Sequence, residues 1–452
     1  MNGRALSALL EKYDVPVPRY TSYPAVPHWQ ETPAPEAWFD AMTMALTSES
    51  ASLAIYLHLP FCEVLCTFCG CNTVITRNHE RSAPYVDVVL AELDRYLDRV
   101  PALRHRPVSQ IHLGGGTPTF MPPDALERLL QGLAARLPLR AHGYEGSVEV
   151  DPRVTTREHL DVMRANGLSR ISLGVQDVDE EVLRLVNRPQ PIEMTADLCR
   201  LARAAGYESI NFDLIYGLPG QSPATMARLA DAVLDLRPDR LAVYSFARVP
   251  WIKPAQRKFK DEDLPVGAAK RQLYEGLRGR LLAAGYQEIG MDHFALPHDA
   301  LAVSARAGTL HRNFMGYTDR RTTALLGLGV SAISETPTCY HQNEKVITVY
   351  ERRVAAGEIP TLRGHLLSDE DRRRADRIRS LMTTGRARLD PADADEARQH
   401  LRELILDGIV EIHDEELRMT PDSKPFLRNV AAFFDTYLRT SSQGGPTYSR
   451  AI

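Results

Sequence analysis

The sequence lacks any apolar stretch approaching the roughly 18 uninterrupted residues that a membrane-spanning helix needs. Its first residues, MNGRALSALLEKYDVPVPRY, also lack the apolar core of a secretory signal peptide. These absences predict a cytoplasmic protein that neither crosses nor binds a membrane.

The chain also lacks an excess of positive charge. Its 54 Lys and Arg residues are outnumbered by 58 Asp and Glu residues, which gives a formal net charge of −4. Nucleic-acid-binding domains usually carry a basic patch or stripe, so composition gives no indication of a nucleic-acid partner. With 44% hydrophobic and 25% charged residues over 452 positions, the chain is typical of a globular protein with one large domain plus accessory segments, or with two to three domains.

Cysteine is scarce, and its distribution is uneven. The chain has six cysteines, and four of them lie within the stretch YLHLPFCEVLCTFCGCN, residues 56–72. Cytosolic thiols are kept reduced, which argues against a disulfide framework. Clustered cysteines in that compartment more often bind metal or take part in catalysis.

Six short apolar segments alternate with helical patterns from residue 53 onward. They occupy residues 53–60, 108–115, 146–151, 170–176, 209–216 and 240–247, and they are rich in β-branched or aromatic residues, as strands are. Strands that alternate with helices form parallel βαβ units with right-handed crossovers. The expected fold class is therefore α/β, either a doubly wound sheet or a partial TIM-like barrel.

The residues that carry chemistry follow the carboxyl ends of these strands. The cysteines come after the first strand, GGGTPT (114–119) after the second, Glu149 and Asp151 late in the third, and Gln176 after the fourth. This edge of a parallel sheet forms the ligand site in α/β folds. We therefore expect one shared site.

The remainder of the chain departs from this rhythm. We expect an N-terminal arm or cap over 1–50, the (β/α)6 core over 51–300, a core extension over 301–364 and a small, mostly helical C-terminal domain over 365–452. The last part has a winged-helix-like order that ends in one helix over FLRNVAAFFDTYLR. Acids interleaved with the run Arg372–Arg374 indicate a solvated helix face rather than a DNA-binding one.

Three of the clustered cysteines, Cys62, Cys66 and Cys69, form the pattern C-x3-C-x2-C. Structural zinc sites normally use two separated ligand pairs, whereas a thioredoxin-like redox pair needs only C-x2-C at a helix start. Three thiolates on one loop can instead hold three corners of a [4Fe–4S] cluster and leave one iron open to another ligand. Spacing and compartment favour the iron–sulfur interpretation, with zinc and a redox pair as the alternatives.

Two acids, Glu149 and Asp213, interrupt apolar strand patterns. Buried carboxylates are costly unless they are paired or hydrogen-bonded, and ribose hydroxyls or a ligand ammonium would satisfy them. The alternative is an internal ion pair with Arg170 or Arg188. His58, inside the first strand, is expected to be a core histidine rather than a ligand.

Ten motifs follow one another along the chain: RYTSYP, PFCEVLCTFCGCN, GGGTPT, VEVDPR, GVQD, LVNRPQ, DLIYGLPGQ, GMDHFA, LHRNF and GLGVSAIS. In kind and in order they resemble the motifs of the oxygen-independent coproporphyrinogen III oxidase family. The C-x3-C-x2-C pattern defines the radical S-adenosylmethionine (SAM) superfamily, to which this family belongs. The resemblance runs from about residue 10 to the terminal YSRAI.

The resemblance implies a partial (β/α)6 TIM-like barrel that binds a [4Fe–4S] cluster and two SAM molecules. By motif, Cys62, Cys66 and Cys69 would ligate the cluster. The residues implied around the first SAM are Tyr56, Gly115, Glu149 and Ile333, and those around the second are Phe68, Gly116, Thr117, Gln176, Arg188, Asp213 and Ala247. For Cys71, packing beside the cluster and contact with SAM or substrate both stay open.

The implied activity is oxidative decarboxylation of two propionates of coproporphyrinogen III to vinyl groups, giving protoporphyrinogen IX in haem biosynthesis. An electron from the cluster would cleave SAM, and the resulting 5′-deoxyadenosyl radical would remove hydrogen from the propionate β-carbon. The implied partner is an electron donor such as flavodoxin or ferredoxin, and the expected state is a monomer. Arg19, Arg312 and the basic stretch 253–260 are candidate anchors for the substrate carboxylates.

The chain departs from the family pattern at Met315 in HRNFMGYT, where Gln is expected, and in the segment TDRRTTALLG, which is usually more acidic. These departures concern fine substrate contacts. One alternative function is a haem-binding chaperone of the same superfamily, but such relatives usually lack the RYTSYP arm. A second is a zinc-clipped protein whose C-terminal domain binds DNA.

Overall fold

Twelve strands form one mixed sheet in the computed structural model, which describes residues 3–29, 34–139, 143–440 and 448–450. In chain order they are β1 (Leu53–Leu59), β2 (Val108–Gly115), β3 (Glu145–Val150), β4 (Leu168–Gln176), β5 (Ser209–Tyr216), β6 (Arg240–Ser245), β7 (Gln287–Ile289), β8 (His293–Ala295), β9 (Ala324–Leu328), β10 (Ile333–Glu335), β11 (Cys339–Asn343) and β12 (Thr361–Leu366).

Parallel strands make up the centre of this sheet, whose order is β12-β11-β10-β9-β1-β2-β3-β4-β5-β6-β8-β7. Neighbouring strands from β9 through β1 to β6 run parallel, and antiparallel strands extend both edges. The six predicted strands are confirmed to within about two residues at each end. Because β12 and β7 lie at opposite ends of the order, the parallel part is an open, partial barrel.

Strand β9 is a seventh parallel strand that the sequence analysis did not predict. All of its residues are buried, and Tyr56 of β1 pairs with its Gly327. The chain reaches β9 from a short hairpin, His311–Asn313 with Gly316–Thr318, and not from a crossover helix. The alternation of strands and helices therefore could not predict β9.

Helices surround the sheet and complete its core. Their bounds are α1 (Gly3–Tyr13), α2 (Pro35–Ala45), α3 (Ser82–Arg99), α4 (Pro123–Arg136), α5 (Arg157–Ala165), α6 (Glu180–Leu185), α7 (Ile192–Ala204), α8 (Pro223–Leu236), α9 (Gly267–Ala283), α10 (Ala300–Ala307), α11 (Ile347–Ala355), α12 (Asp369–Thr384), α13 (Pro391–His400), α14 (Arg402–Leu406), α15 (Leu427–Ala431) and α16 (Thr436–Thr440). Leu126 and Leu129 of α4 share one buried core with Ile55 of β1 and Ile111 of β2. Burial of such side chains is the main favourable contribution to folding.

Local sequence signals set several helix ends. Ser222 caps α8, since its Oγ accepts a hydrogen bond from Thr225 N at 3.2 Å. Gly206 follows α7 with a φ of +83°, a backbone conformation that glycine adopts without steric cost. Among the described residues, none of the helices combines the length and the apolarity needed to cross a membrane.

The arm and the C-terminal segment share a second core. Leu10, Tyr20 and Tyr23 of the arm pack among buried residues of the last helices, such as Leu381 and Phe434. A small antiparallel sheet lies in the same unit, with Glu416–Met419 between Arg386–Arg388 and Val410–His413.

The basic run at the start of α12 is neutralised by its own helix. Arg372 pairs with Asp369 one turn earlier, while Arg373 and Arg374 both pair with Glu370. Arg372 and Arg373 are exposed, whereas Arg374 is mostly buried and also donates to Phe434 O at 3.2 Å, so only the first two lie on a solvated helix face.

The last predicted helix is interrupted at Asp435. The segment forms α15, a short 3-10 turn over Ala432–Phe434 and α16. Asp435 is buried, its Oδ1 accepts a hydrogen bond from Leu438 N at 2.9 Å, and its Oδ2 accepts one from Tyr20 Oη at 3.1 Å. The prediction of one continuous helix was wrong, because an aspartate held inward by the arm starts a new helix instead of continuing the old one.

Candidate active site

A cavity of about 720 Å³ occupies the interior of the parallel barrel and is lined by residues from both ends of its strands, such as Gln110 and Gly115 of β2. Most of the site residues that the family resemblance implies line it. They are Cys62, Cys66, Phe68, Cys69, Gly115, Gly116, Thr117, Glu149, Gln176, Arg188, Asp213 and Ala247. Residues far apart in the sequence thus meet in one place, as their positions at the strand ends predict.

The cysteine loop, residues 60–76, follows β1 directly and is fixed at several points. Val74 N donates to Pro60 O at 2.8 Å, so the loop returns alongside its own start. In its middle, Thr67 N donates to Val186 O at 3.0 Å, which ties the loop to the segment after α6. These bonds hold the loop on the rim of the cavity.

The thiols of Cys62 and Cys66 have polar neighbours. Cys62 Sγ lies 3.3 Å from Thr117 Oγ1. Cys66 Sγ accepts hydrogen bonds from Arg188 Nη1 at 3.6 Å and from Arg153 Nη2 at 3.7 Å. Burial raises the pKa of Cys62 to about 11. Guanidinium donors such as those at Cys66 stabilise a thiolate, which is the form that binds metal.

Cys71 contacts the motif directly. Its backbone N donates to Cys69 Sγ at 3.4 Å. Hydrogen bonding from Cys71 lowers the pKa of Cys69 to about 6, so the thiolate of Cys69 predominates at neutral pH. A hydrogen bond between the two thiol side chains is the main cause of this shift, and it also raises the pKa of Cys71, an exposed residue.

The donor set suits a cluster better than a single ion. Within the described ranges, no three His, Cys, Asp or Glu side chains converge on one position that could hold a metal ion. A structural zinc ion needs four ligands around one centre. In a [4Fe–4S] cluster each thiolate binds a different iron, so three sulfurs spread along one loop fit it.

Glu149 lies near the end of β3 beside the Gly-rich turn. Its carboxylate accepts hydrogen bonds from His112 Nε2 at 3.3 Å and from Gly115 N at 3.2 Å. Burial acts to raise the pKa of this carboxyl, but the interactions with His112 and the Gly115 amide outweigh it and lower the pKa overall. Glu149 is therefore an anion at neutral pH that can bind an ammonium group or hydroxyls.

His58 is a buried structural residue, as expected. Its Nε2 lies 2.9 Å from Asn72 O, and its Nδ1 lies 3.1 Å from Tyr56 Oη. Its ring also packs under Gly115, where φ is +111° and an added Cβ would lie 2.7 Å from the ring. Gly115 is thus required both for its backbone conformation and for the space it leaves.

Tyr56 and Ile333 lie beside the cavity and are not part of its lining. The Tyr56 ring stacks on His112, with centroids 5.9 Å apart and planes inclined by 18°. Tyr56 pairs with Gly327 of β9. Ile333 lies next to Gly327, since a Cβ added there would be 2.3 Å from Ile333 O. The structure therefore brings both residues close to the site but leaves their predicted contact with SAM as a prediction.

Asp213 lies on the inner face of β5. It accepts hydrogen bonds from Ser172 Oγ at 2.8 Å and from Asn211 Nδ2 at 3.0 Å. Burial raises its pKa to about 6, and the nearby charge of Glu149 adds to this shift.

The two arginines considered as internal partners of these strand acids bind other carboxylates. Arg170 Nη1 donates to Glu145 at 2.5 Å, and Arg188 Nη1 donates to Asp151 at 3.2 Å. Asp151 also accepts a hydrogen bond from Arg153 Nη2 at 2.6 Å. The internal-pair alternative is wrong, because each arginine reaches a nearer acid. Neither Arg170 nor Arg188 is therefore the partner of Glu149 or Asp213, whose carboxylates face the cavity.

Gln176 closes β4 at an irregularity in the strand pairing, with a φ of +68°. Non-glycine residues in this conformation are uncommon and cluster at ligand sites. An added Cβ at Gly174 would lie 2.9 Å from Gln176 Nε2 and 3.0 Å from Arg188 Nη2. The small residue therefore lets both side chains pack closely at the cavity wall.

One cluster of interacting side chains at the site was not predicted from the sequence: Asp151, Arg153, Arg188 and Cys66. Asp151 is buried, and although burial acts to raise its pKa, the charges of Arg188 and Arg153 lower it. VEVDPR places Asp151 and Arg153 at a strand end, and this was the one signal that could have indicated them. Their convergence with Cys66 depends on three separate chain segments.

The proposed anchors for substrate carboxylates are already engaged in the structure. Arg19 pairs with Asp292, and Arg312 donates to a backbone carbonyl of the arm. Neither arginine lines the cavity, and none of the basic residues of the stretch 253–260 does, so these side chains lie outside the site. Met315, at one of the departures from the family pattern, does line it. The contact that Met315 makes with the cavity is therefore direct.

Comparison with known proteins identifies the chain's relatives. The Radical SAM superfamily model matches residues 56–233. The oxygen-independent coproporphyrinogen III oxidases of Escherichia coli K12 and Salmonella typhimurium are 41% and 40% identical over 446 residues, covering 96% of this chain and 96% of each relative. The solved structure of coproporphyrinogen III oxidase (HemN) from Escherichia coli, described as a radical SAM enzyme, superposes with a TM-score of 0.87 at 39% identity. It covers 95% of this chain and 98% of that one.

These matches confirm the resemblance and the partial-barrel fold, and they extend through the arm and the C-terminal segment. The chain belongs to the oxygen-independent coproporphyrinogen III oxidase family of the radical SAM superfamily.

Proposed function

We propose that this protein oxidatively decarboxylates two propionate side chains of coproporphyrinogen III to vinyl groups, giving protoporphyrinogen IX in haem biosynthesis. The observation that carries the proposal is the similarity over 96% of the chain to oxidases named for this substrate. Each vinyl group forms when one propionate loses a β-hydrogen atom, one CO2 and one electron.

The cofactors of this family are a [4Fe–4S] cluster and SAM. Cys62, Cys66 and Cys69 would hold the cluster as thiolates. Hydrogen bonding lowers the pKa of Cys69, whereas burial raises that of Cys62, whose thiol would lose its proton on binding iron. When bound, the cluster supplies the electron that cleaves SAM, and SAM supplies the radical that takes the substrate hydrogen.

A first SAM would lie against Tyr56, Gly115, Glu149 and Ile333. Glu149 is anionic and faces the cavity, so it suits the SAM ammonium or ribose hydroxyls. His112 binds Glu149 and stacks on Tyr56, and this fixes the carboxylate before the ligand arrives.

A second SAM would lie against Phe68, Gly116, Thr117, Gln176, Arg188, Asp213 and Ala247, which all line the same cavity. Arg188 Nε is buried and without a hydrogen-bond partner among the described residues, so a ligand carboxylate would satisfy it. Asp213 can accept hydrogen bonds from ribose hydroxyls when it is ionised.

The protein is proposed to work as a cytoplasmic monomer that receives electrons from flavodoxin or ferredoxin. A reducing compartment suits the free cysteines of the site.

The test is anaerobic reconstitution of the protein with iron and sulfide, followed by incubation with SAM, dithionite and coproporphyrinogen III. We expect protoporphyrinogen IX together with 5′-deoxyadenosine. SAM cleavage without vinyl product would show a different substrate. Stoichiometric haem binding without turnover would instead identify a haem chaperone.

A further inference from the structure

Exposed apolar side chains gather around the cysteine loop. Thirteen large apolar side chains are exposed among the described residues, and five of them lie in or next to the loop. Leu65 and Ile75 belong to the loop and also line the cavity, while Trp251, Ile252 and Val346 lie on neighbouring segments. Trp251 is 48% exposed, whereas the other two tryptophans of the chain, Trp29 and Trp38, are buried. Scattered single apolar residues are normal on a surface, but a group of them marks an interaction site.

The segments that carry these side chains are hydrogen-bonded to the loop. Lys253 Nζ donates to Cys71 O at 2.8 Å, and Asn72 Nδ2 donates to Lys345 O at 3.0 Å. The residues next to these donors and acceptors, Trp251, Ile252 and Val346, therefore lie beside the outer surface of the loop.

Buried Gln256 holds one of these segments in place. Its Oε1 accepts a hydrogen bond from Val249 N at 2.6 Å, and its Nε2 donates to Ala247 O at 3.2 Å and to Phe68 O at 3.3 Å. Phe259 packs in a small apolar core against which Phe68 also packs. The surface is thus rigid before any partner binds, which lowers the entropic cost of docking.

Positive charge surrounds the apolar group. Lys253, Arg257, Lys258 and Lys345 form no ion pair with a carboxylate in the part of the chain that the structure describes. Residues 248–260 contain five basic residues and no acid. The pKa of Lys345 is lowered by partial burial and by the charges of Arg363 and Lys253, which reflects this local excess of cations.

Several acids lie near this surface, and each has a hydrogen-bonding or ionic partner; Glu344, next to Lys345, accepts hydrogen bonds from the backbone N of Lys345 and Val346. Glu63 pairs with His79 at 3.1 Å. In the acidic run that follows residue 260, Asp261 pairs with Arg248 and Glu262 with Lys260. An apolar centre with a cationic rim is the arrangement expected for transient binding of an acidic protein.

The part of the loop that directly follows Cys69 is exposed to solvent. Gly70 and Cys71 are exposed, and an added Cβ at Gly70 would meet nothing within 4 Å. Gly70 directly follows Cys69, which lines the cavity. The loop therefore separates solvent from the site by little more than its own backbone.

We propose that the loop face, defined as Leu65, Ile75, Trp251, Ile252 and Val346 with Lys253, Arg257, Lys258 and Lys345, is the docking surface for a small acidic one-electron carrier protein. The inference rests on the proposed function, since the site must receive electrons from outside the chain. In each transfer the carrier loses one electron and the oxidised cluster held by the loop gains it.

The test uses the anaerobically reconstituted protein and flavodoxin, a small acidic flavoprotein, as the probe. The first variant is Arg257→Glu with Lys258→Glu, the second is Trp251→Ala, and the control is Arg402→Glu on the exposed surface of the C-terminal segment. Binding is measured as Kd at low and high salt, and SAM cleavage is measured with reduced flavodoxin and, separately, with dithionite.

We expect the double charge reversal to raise the Kd for flavodoxin about tenfold at low salt and to weaken its salt dependence, as reversal of rim charges does. Trp251→Ala should raise the Kd at both salt concentrations, because it removes apolar contact area. Dithionite-driven SAM cleavage should be unchanged in every variant, and the control should match the wild-type protein throughout.

Wild-type Kd values in both loop-face variants, or no salt-dependent binding of flavodoxin to the wild-type protein, would overturn the inference. Failure of the proposed function looks different, because then the wild-type protein would make no vinyl product even with dithionite.

Discussion

Buried Glu92 gives the stability of this protein a pH dependence that one substitution should remove. Glu92 lies on α3, and its Oε2 accepts hydrogen bonds from Tyr350 Oη at 2.6 Å and Gly329 N at 2.8 Å, while its Oε1 accepts one from Asn343 Nδ2 at 2.6 Å. Gly329 directly follows β9, the strand that pairs with Tyr56 of β1. The carboxyl therefore holds the edge of the barrel next to the site.

Burial raises the pKa of Glu92 from 4.5 to about 7, although its three hydrogen bonds act to lower it. Because the folded state binds this proton more tightly than the unfolded state, Glu92 favours folding least at high pH. Its contribution to the free energy of unfolding falls as pH rises from about 4.5 to 7, by about 3 kcal/mol in total.

Glu92→Gln keeps an acceptor for Tyr350 and Gly329 but cannot ionise. At the position of Oε1 the new amide nitrogen meets Asn343 Nδ2, so the Asn343 amide must turn to present its Oδ1, which has no hydrogen-bond partner in the described structure. We expect the variant and the wild-type protein to be similarly stable near pH 5. Near pH 8 the variant should be more stable by about 2 to 3 kcal/mol, measured by anaerobic urea unfolding.

Glu92→Ala is the matched comparison. It leaves three buried donors without their acceptor and removes the same titration, so it should lose on the order of 3 kcal/mol near pH 5 and about 2 to 3 kcal/mol less than that near pH 8. If Glu92→Gln is less stable than the wild-type protein across the whole pH range, the carboxylate is charged and stabilising, and this reasoning is refuted.

Three further predictions concern the site. Alanine at any cysteine of the C-x3-C-x2-C motif should abolish bound iron and sulfide, whereas Cys71→Ala should retain both; equal loss in Cys71→Ala would contradict a three-ligand cluster. SAM affinity, measured by calorimetry, should rise as Asp213 ionises near pH 6 and should not do so in Asp213→Asn; a rise that persists in the variant would assign it to another group. Gly116→Ala places a Cβ 2.6 Å from the Pro60 backbone and should cost more than about 2 kcal/mol in stability, while Gly70→Ala, with open space around it, should be neutral; equal stability of the two variants would contradict the crowding at Gly116.

Local sequence patterns were sufficient for the parallel core and for the position of the site. Each of the six predicted strands is a short apolar segment between helical patterns, and burial on both faces requires that composition. Since strands joined by crossover helices run parallel, their carboxyl ends meet at one edge. That rule places the cysteines, Glu149 and Gln176 together, and the cavity lining agrees with it.

The partners of the charged groups could not be predicted in this way. The sequence allowed Glu149 to pair with an arginine, but the structure gives it His112 and the Gly115 amide. Arg188 reaches Asp151 and Cys66, which lie 37 and 122 residues earlier in the chain. Which of several acids a long side chain reaches depends on strand register, and no local pattern encodes that.

The sequence by itself determined the α/β class, the order of strands and helices, the cysteine loop and, through its motifs, the family. Only the tertiary structure decided the seventh parallel strand, the interruption of the last helix at Asp435 and the joint core of arm and C-terminal segment. Tyr20 reaches Asp435 across 415 residues, and Tyr350 reaches Glu92 across 258. Strand and helix preferences act over a few neighbouring residues, whereas these contacts exist only once distant segments have packed together.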